Sequence, residues 1–83
     1  MNRRDEVLTI LAEECAEVIV AISKIKRFGE ERNKENLKLE IADLRCMLDL
    51  VESFQIVEFE PRELTQMIQN KQKKLEMYSN IFR

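Results

Sequence analysis

The chain has 83 residues, 45% of them hydrophobic, with one Gly, one Pro and no Trp, and its 14 basic residues stand among 16 acidic ones for a net charge of −2. That length makes one domain, residues 1–83, and a chain so short buries only about 60% of the surface its unfolded form exposes, so a monomeric core is marginal. The mixed charges exclude a strongly basic nucleic-acid surface. The absence of His excludes a His-based triad or general acid and the usual zinc ligand sets, and no apolar run approaches the ~18 residues of a membrane span.

Met1–Asp5 is polar, with Asn2 or Asp5 available as an N-cap. From Glu6 to Phe28, Leu8, Leu11, Cys15, Val18, Ile22 and Ile25 recur at steps of three and four, which predicts a long first helix with that stripe buried. Val7, Ile10, Ile19 and Ala21 fall outside the stripe, so the apolar surface is wider than one partner helix covers and implies a second contact, from another subunit. Gly29 reads as a left-handed C-cap, with Lys24, Lys26 and Arg27 complementing the helix dipole in the last turns.

Glu30–Asn36 carries no apolar residue and reads as a loop, with Asn33 and Asn36 as candidate caps of the next helix. Leu37, Ile41, Leu44, Leu48 and Val51 restore the three-four rhythm, with Met47, Leu50 and Phe54 on a neighbouring stripe, and predict a second long helix to about Phe54. Gln55–Glu60 is a connector. Pro61 suits the first position of a third helix whose apolar points are Leu64, Met67, Ile68, Leu75, Tyr78 and Phe82, interrupted by the polar run Gln69–Lys74. The expected fold is all-α: two long antiparallel helices plus a C-terminal helix, completing a helical bundle by oligomerisation. Cys15 and Cys46 fall at apolar helix positions; with no signal peptide, they read as reduced core thiols of a cytoplasmic protein.

Two stretches carry the chemistry. Glu14-Cys15-Ala16-Glu17 and Glu40-Ile41-Ala42-Asp43 each set two carboxylates three residues apart, on one side of a helix. The same spacing recurs at Asp49/Glu52 and Glu60/Glu63, so spacing alone carries little. The first two pairs differ in their setting, beside the aliphatic seams of the two long helices. Acids there are partly desolvated and repel one another unless a cation or basic side chain neutralises them. Two such edges brought together by antiparallel packing make a cluster of oxygens suited to Mg²⁺ or Mn²⁺. The alternative is a solvated helix face that binds nothing.

The run Leu11-Ala12-Glu13-Glu14-Cys15-Ala16-Glu17-Val18, then Ser23-Lys24 and Arg27-Phe28-Gly29, then Asn36-Leu37 leading to Glu40-Ile41-Ala42-Asp43-Leu44, resembles the MazG-like branch of the all-α nucleoside triphosphate pyrophosphatase superfamily. That superfamily is marked by an ExxE helix motif followed by an ExxD helix motif, and here 22 residues separate Glu17 from Glu40. The resemblance covers residues 7 to 54, with a fainter echo from Lys71 to Tyr78. It implies Mg²⁺-dependent hydrolysis of a (d)NTP between the α and β phosphates, giving (d)NMP and pyrophosphate. Glu14, Glu17, Glu40 and Asp43 would be metal ligands. One of these acids, Glu14 or Glu17 foremost, or else Glu13, would orient the attacking water.

Lys24 and Arg27, with Lys71 or Lys74, become clamps for the leaving pyrophosphate under the resemblance. Tyr78 becomes a stacking surface for base or ribose, against the simpler reading of a core aromatic. Asn33 and Asn36 become nucleoside contacts, against the simpler reading, for at least one of them, of a cap on the second helix. Because so short a chain does not enclose a nucleotide, the resemblance further implies a homo-oligomer, dimer or tetramer, with neither nucleic acid nor a membrane as partner. The competing expectation from another class is a non-catalytic helical oligomerisation or interaction module, in which both acid pairs are tolerated surface charge.

Overall fold

The computed structural model describes residues 1–83, which form three helices and no strand: α1 Arg3–Phe28, α2 Glu30–Ser53 and α3 Glu63–Tyr78. α1 begins where Asn2 accepts a hydrogen bond from the Asp5 backbone N–H at 2.8 Å, with Asp5 and Glu6 in the first turn. A carboxamide cap and two anions both satisfy the unpaired N–H groups at that end.

The predicted loop from Glu30 to Asn36 is helix instead, the first two turns of α2. Only Gly29 separates the helices. Its φ of 98° and ψ of 156° lie outside the left-handed helical region expected of the cap, in a region open essentially to Gly alone. Its N–H closes α1 on the Ile25 carbonyl at 2.9 Å, and its carbonyl accepts from the Asn33 side chain at the same distance. Glu30 and Glu31 supply negative charge at the new N-terminus. What looked like a polar loop is a solvated helix start, since Glu, Arg and Lys favour helix once a single residue has made the turn.

α1 and α2 therefore form a tight antiparallel hairpin, and they are the only helices whose backbones approach one another. Its seam differs from the predicted one. Apart from Ile10 and Leu50, which flank it at the open end, the buried and half-buried positions are Val7, Leu11, Glu14, Val18, Ala21 and Ile25 on α1 and Asn33, Leu37, Glu40, Leu44, Met47 and Val51 on α2. Both sets step by three and four as predicted, and Leu11, Val18, Ile25, Leu37, Leu44 and Val51 stand in the predicted and the observed seam alike; at the other positions the seam shifts by one residue, Leu8, Cys15, Ile22, Ile41 and Leu48 giving way to Val7, Glu14, Ala21, Glu40 and Met47. Val7 and Ala21 are buried, whereas Leu8, Ile22, Ile41 and Leu48 are 38–46% exposed. Ala21 is wholly buried near the turn, where a small side chain lets the helices converge. At the open end, Val7, Met47 and Val51 form the core, flanked by Ile10, Leu11, Leu50 and Ile56. Arg4 spans that end, donating to the Phe54 carbonyl at 3.0 Å and so placing a cation at the C-terminus of α2. Cys15 and Cys46 are free and exposed rather than core thiols.

α2 ends in a Schellman motif. Ile56 N–H bonds the Val51 carbonyl at 3.0 Å and Gln55 N–H bonds the Glu52 carbonyl at 2.9 Å, with Gln55 at φ 56° in the position usually held by Gly. The accompanying apolar contact is present, because Ile56 packs on the Val51 cluster. Pro61 does not open α3 as predicted. It sits in a four-residue turn, Glu60 to Glu63, closed by Glu63 N–H on the Glu60 carbonyl at 3.0 Å, with Arg62 at φ 71°, ψ −7°. That is type II geometry with Pro second and a left-handed residue third. The Glu63 carboxylate reaches back to the Glu60 N–H at 3.0 Å.

α3 makes no backbone approach to the hairpin. The molecule measures 39 × 33 × 16 Å with a radius of gyration of 15.6 Å, against about 12 Å for a compact chain of this length. Four residues are buried in all. No helix is long and apolar enough to cross a membrane.

Candidate metal centre

The seam register carries two acids into the contact between helices. Glu14 and Glu40 occupy seam positions on α1 and α2 and are partly buried, while Asp43, one turn beyond Glu40, lies at the seam's edge and is exposed. One carboxylate oxygen from each of the three lies within 4.8 Å of the other two. Glu17, one turn along α1 from Glu14, is exposed and is not part of this trio.

Glu14 is the most constrained member. Its Oε2 is buried and has no hydrogen-bond partner. Desolvation first, then the negative charges of Asp43, Glu40, Glu17 and Glu13, hold its carboxyl above the usual value of 4.5. Every charged neighbour acting on it is an anion. Removing water from a carboxylate while surrounding it with like charge is unfavourable on both counts, and either a proton or a cation relieves it. The donor set is all oxygen, which suits a hard divalent ion, and the unpartnered Oε2 is a vacant acceptor in the same place. The residues present fit such an ion.

The remaining predicted site residues do not converge on this cluster within one chain. Lys24 and Arg27 lie in the last turns of α1, both exposed, and the Arg27 guanidinium stacks 5.2 Å from the centre of the Phe28 ring. Asn36 is exposed in the second turn of α2 and caps nothing; it is Asn33 whose side chain bonds the turn. Lys71, Lys74 and Tyr78 are on the separate α3, and Tyr78 is 81% exposed rather than core.

The largest cleft, about 630 Å³, lies away from the acids, lined by Leu11, Leu48, Val51, Val57, Phe59 and Leu64 with Arg45, Asp49 and Glu52 at its rim. None of Glu14, Glu40 or Asp43 faces it. The carboxylate cluster is the stronger candidate for chemistry, because it holds the desolvated, unpartnered Glu14 carboxylate among other acids whereas the cleft is chiefly apolar. The cleft was not legible in the sequence, since it is made by the connector folding beside the hairpin; the apolar Val57, Phe59 and Leu64 around Pro61 were its one signal. No protein-family description, curated protein or solved structure matches the chain.

Proposed function

We propose that the protein is a Mg²⁺-dependent nucleoside triphosphate pyrophosphohydrolase that converts a (d)NTP into (d)NMP and pyrophosphate and works as a homo-oligomer. The observation that carries this reading is the partly buried Glu14 carboxylate, unpartnered at Oε2 and pressed by four other acids, with oxygens of Glu40 and Asp43 within 4.8 Å. The resemblance of the two acid motifs to the MazG-like branch supplies the reaction. Held by Glu14, Glu40 and Asp43, Mg²⁺ (or Mn²⁺) supplies neutralisation of phosphate charge and acidification of water.

Glu17 and Glu13 sit beside that trio and are the available acceptors for a water proton. Lys24 and Arg27 are the cations nearest in sequence to the acids on α1, and Arg27 offers a bidentate fork for a phosphate. Lys71, Lys74 and Tyr78 would enter the site from a second copy, since the α3 backbone does not approach α1 or α2 of the same chain.

The test is a panel of NTPs and dNTPs incubated with the purified chain and Mg²⁺ and scored for monophosphate plus pyrophosphate, with Mg²⁺ and Mn²⁺ titrated by calorimetry. Pyrophosphate release that disappears in Glu17→Gln and Asp43→Asn, with helicity unchanged, supports the reading. Absence of both turnover and metal binding refutes it. A second reading, a non-catalytic helical interaction module, is favoured by one observation: only four residues are buried while Ile19, Leu39, Met77 and Ile81 are at least 65% exposed. It predicts that replacing both acid pairs by amides leaves partner binding unchanged.

A further inference from the structure

Met77, Tyr78, Ile81 and Phe82 crowd into six residues at the end of α3 and are 55–81% exposed. The turn that carries the last two is fastened. Ser79 closes α3 through its backbone N–H on the Leu75 carbonyl at 2.9 Å, and its hydroxyl donates to the same carbonyl at 2.6 Å while accepting from the Ile81 N–H at 3.4 Å. Arg83 bonds Asn80 twice, its N–H donating to the carbonyl at 3.2 Å and its guanidinium to the side-chain oxygen at 3.3 Å. Exposure of the quartet is therefore built into the fold, and an apolar cluster held out in this way marks a contact surface.

The charge around it is one-sided. Residues 67–83 hold Lys71, Lys73, Lys74 and Arg83 against Glu76 alone, net +3, whereas residues 1–66 hold ten basic against fifteen acidic residues, net −5. An anionic partner is favoured at this end of the chain and disfavoured over the rest.

The shape of the surface suits a bilayer rather than a protein groove. A groove takes a single stripe of a helix, at positions three and four apart. Met77 and Tyr78 are adjacent on α3 and so project about 100° apart, while Lys71 and Lys73, two places apart, fall on nearly opposite sides. Ile81 and Phe82 lie on the turn beyond the helix. The result is an apolar tip with cations around its base. A lipid interface receives such a tip from every side: its acyl boundary takes the apolar groups, its headgroup phosphates the cations, and an aromatic ring such as that of Tyr78 sits between, with its hydroxyl in the headgroups.

We propose that the end of α3 docks on anionic lipid, with Met77, Tyr78, Ile81 and Phe82 in the interface and Lys71, Lys73, Lys74 and Arg83 on the headgroup phosphates. The chain lies on the bilayer and does not cross it, and the net negative charge of residues 1–66 turns the hairpin and its acids away. This adds a membrane partner where the resemblance implied none. Lys71, Lys74 and Tyr78 are shared with the reading above, whereas Met77, Ile81, Phe82, Lys73 and Arg83 have no part in it, and the proposal stands whether or not a nucleotide is turned over.

The chain has no Trp and Tyr78 is its one Tyr, so intrinsic tyrosine fluorescence reports this tip alone. When vesicles of phosphatidylcholine and phosphatidylserine in equal parts are added to the purified chain at low salt, acrylamide should lose access to Tyr78, and vesicles whose acyl chains carry bromine should quench it. Phosphatidylcholine alone should do neither, and raising the salt should release the chain. Phe82→Ser should lower the partition coefficient ~10-fold by taking an apolar ring out of the interface. Lys73→Gln should lower it ~5-fold, the effect of one cation near an anionic surface. Both positions are exposed, so circular dichroism of the two variants should show unchanged helicity.

Three results overturn the proposal: no partitioning into the anionic vesicles, partitioning that leaves Tyr78 open to acrylamide and untouched by brominated lipid, or partitioning indifferent to both substitutions. A Tyr78 already shut off from acrylamide before lipid is added, as burial against another protein surface would make it, overturns it too. So does a single-stranded oligonucleotide that binds the chain in preference to the vesicles.

Discussion

Glu14 is where charge, burial and packing meet. Its carboxyl is raised in the folded chain by desolvation and by Asp43, Glu40, Glu17 and Glu13, so in the pH range above the usual value of 4.5 the folded state binds the proton more tightly than the unfolded one. Stability then falls as pH rises through that range, up to the raised value, and is flat beyond it. Thermal unfolding followed from pH 4 upward in metal-free buffer should show this decline, and Glu14→Gln should remove it and raise the midpoint at pH 7. Adding Mg²⁺ at pH 7 should restore the midpoint of the unsubstituted chain and leave that of Glu14→Gln unmoved, because a ligand stabilises only the state that binds it. A midpoint of Glu14→Gln below that of the unsubstituted chain at pH 7 would show that Glu14 is already paired. Asp43 and Glu40 were legible in the sequence as one helix edge, but that Glu14 and Glu40 lie in the seam rather than beside it depended on the phase of two helices against each other.

At the scale of elements, three residues hold backbone conformations that decide where helices stop. Gly29 at φ 98° has open space around the position of a Cβ, so Gly29→Ala meets no clash and its cost is purely conformational, ~1–3 kcal/mol for a region that residues with a side chain avoid. Gln55 and Arg62 sit at φ 56° and 71°, where a side chain costs about 1 kcal/mol, so Gln55→Gly should stabilise the chain by somewhat less than that. Urea titration should show the two midpoints moving in opposite directions with the slope unchanged. Ala21 is fully buried between α1 and α2; Ala21→Leu should cost ~1–3 kcal/mol by prying the hairpin apart near its turn. Gly29 and Pro61 were visible as punctuation. Their detailed roles were not, because Glu30–Asn36 has a loop's polarity and a helix's propensity, and because Pro suits a helix start and the second place of a turn equally well.

For the whole molecule, the disproportion between 83 residues and four buried ones is the governing fact. A core of Val7, Met47 and Val51 with its flanking residues is small for a domain, and self-association is the expected remedy, so the midpoint of thermal unfolding should rise with protein concentration. Met47→Ala should cost ~2 kcal/mol or more where the core is this thin. A midpoint independent of concentration over a hundredfold range would mean that the hairpin stands alone.

The sequence by itself determined that the chain is helical, that it has three helices, and which two pairs of acids are set apart by their aliphatic surroundings, because a three-four period and helix-favouring composition act locally. Only the tertiary structure decided the phase of the seam, which turns Val7, Glu14 and Ala21 inward and Leu8, Cys15 and Ile22 outward. It also decided that Glu14, Glu40 and Asp43 converge while Glu17 stands outside, and that the α3 backbone does not approach the hairpin. The physical reason is that period fixes how often a helix buries a residue, whereas the angle between two apolar stripes, and the direction of a helix beyond two turns, are settled by packing against what lies across the seam.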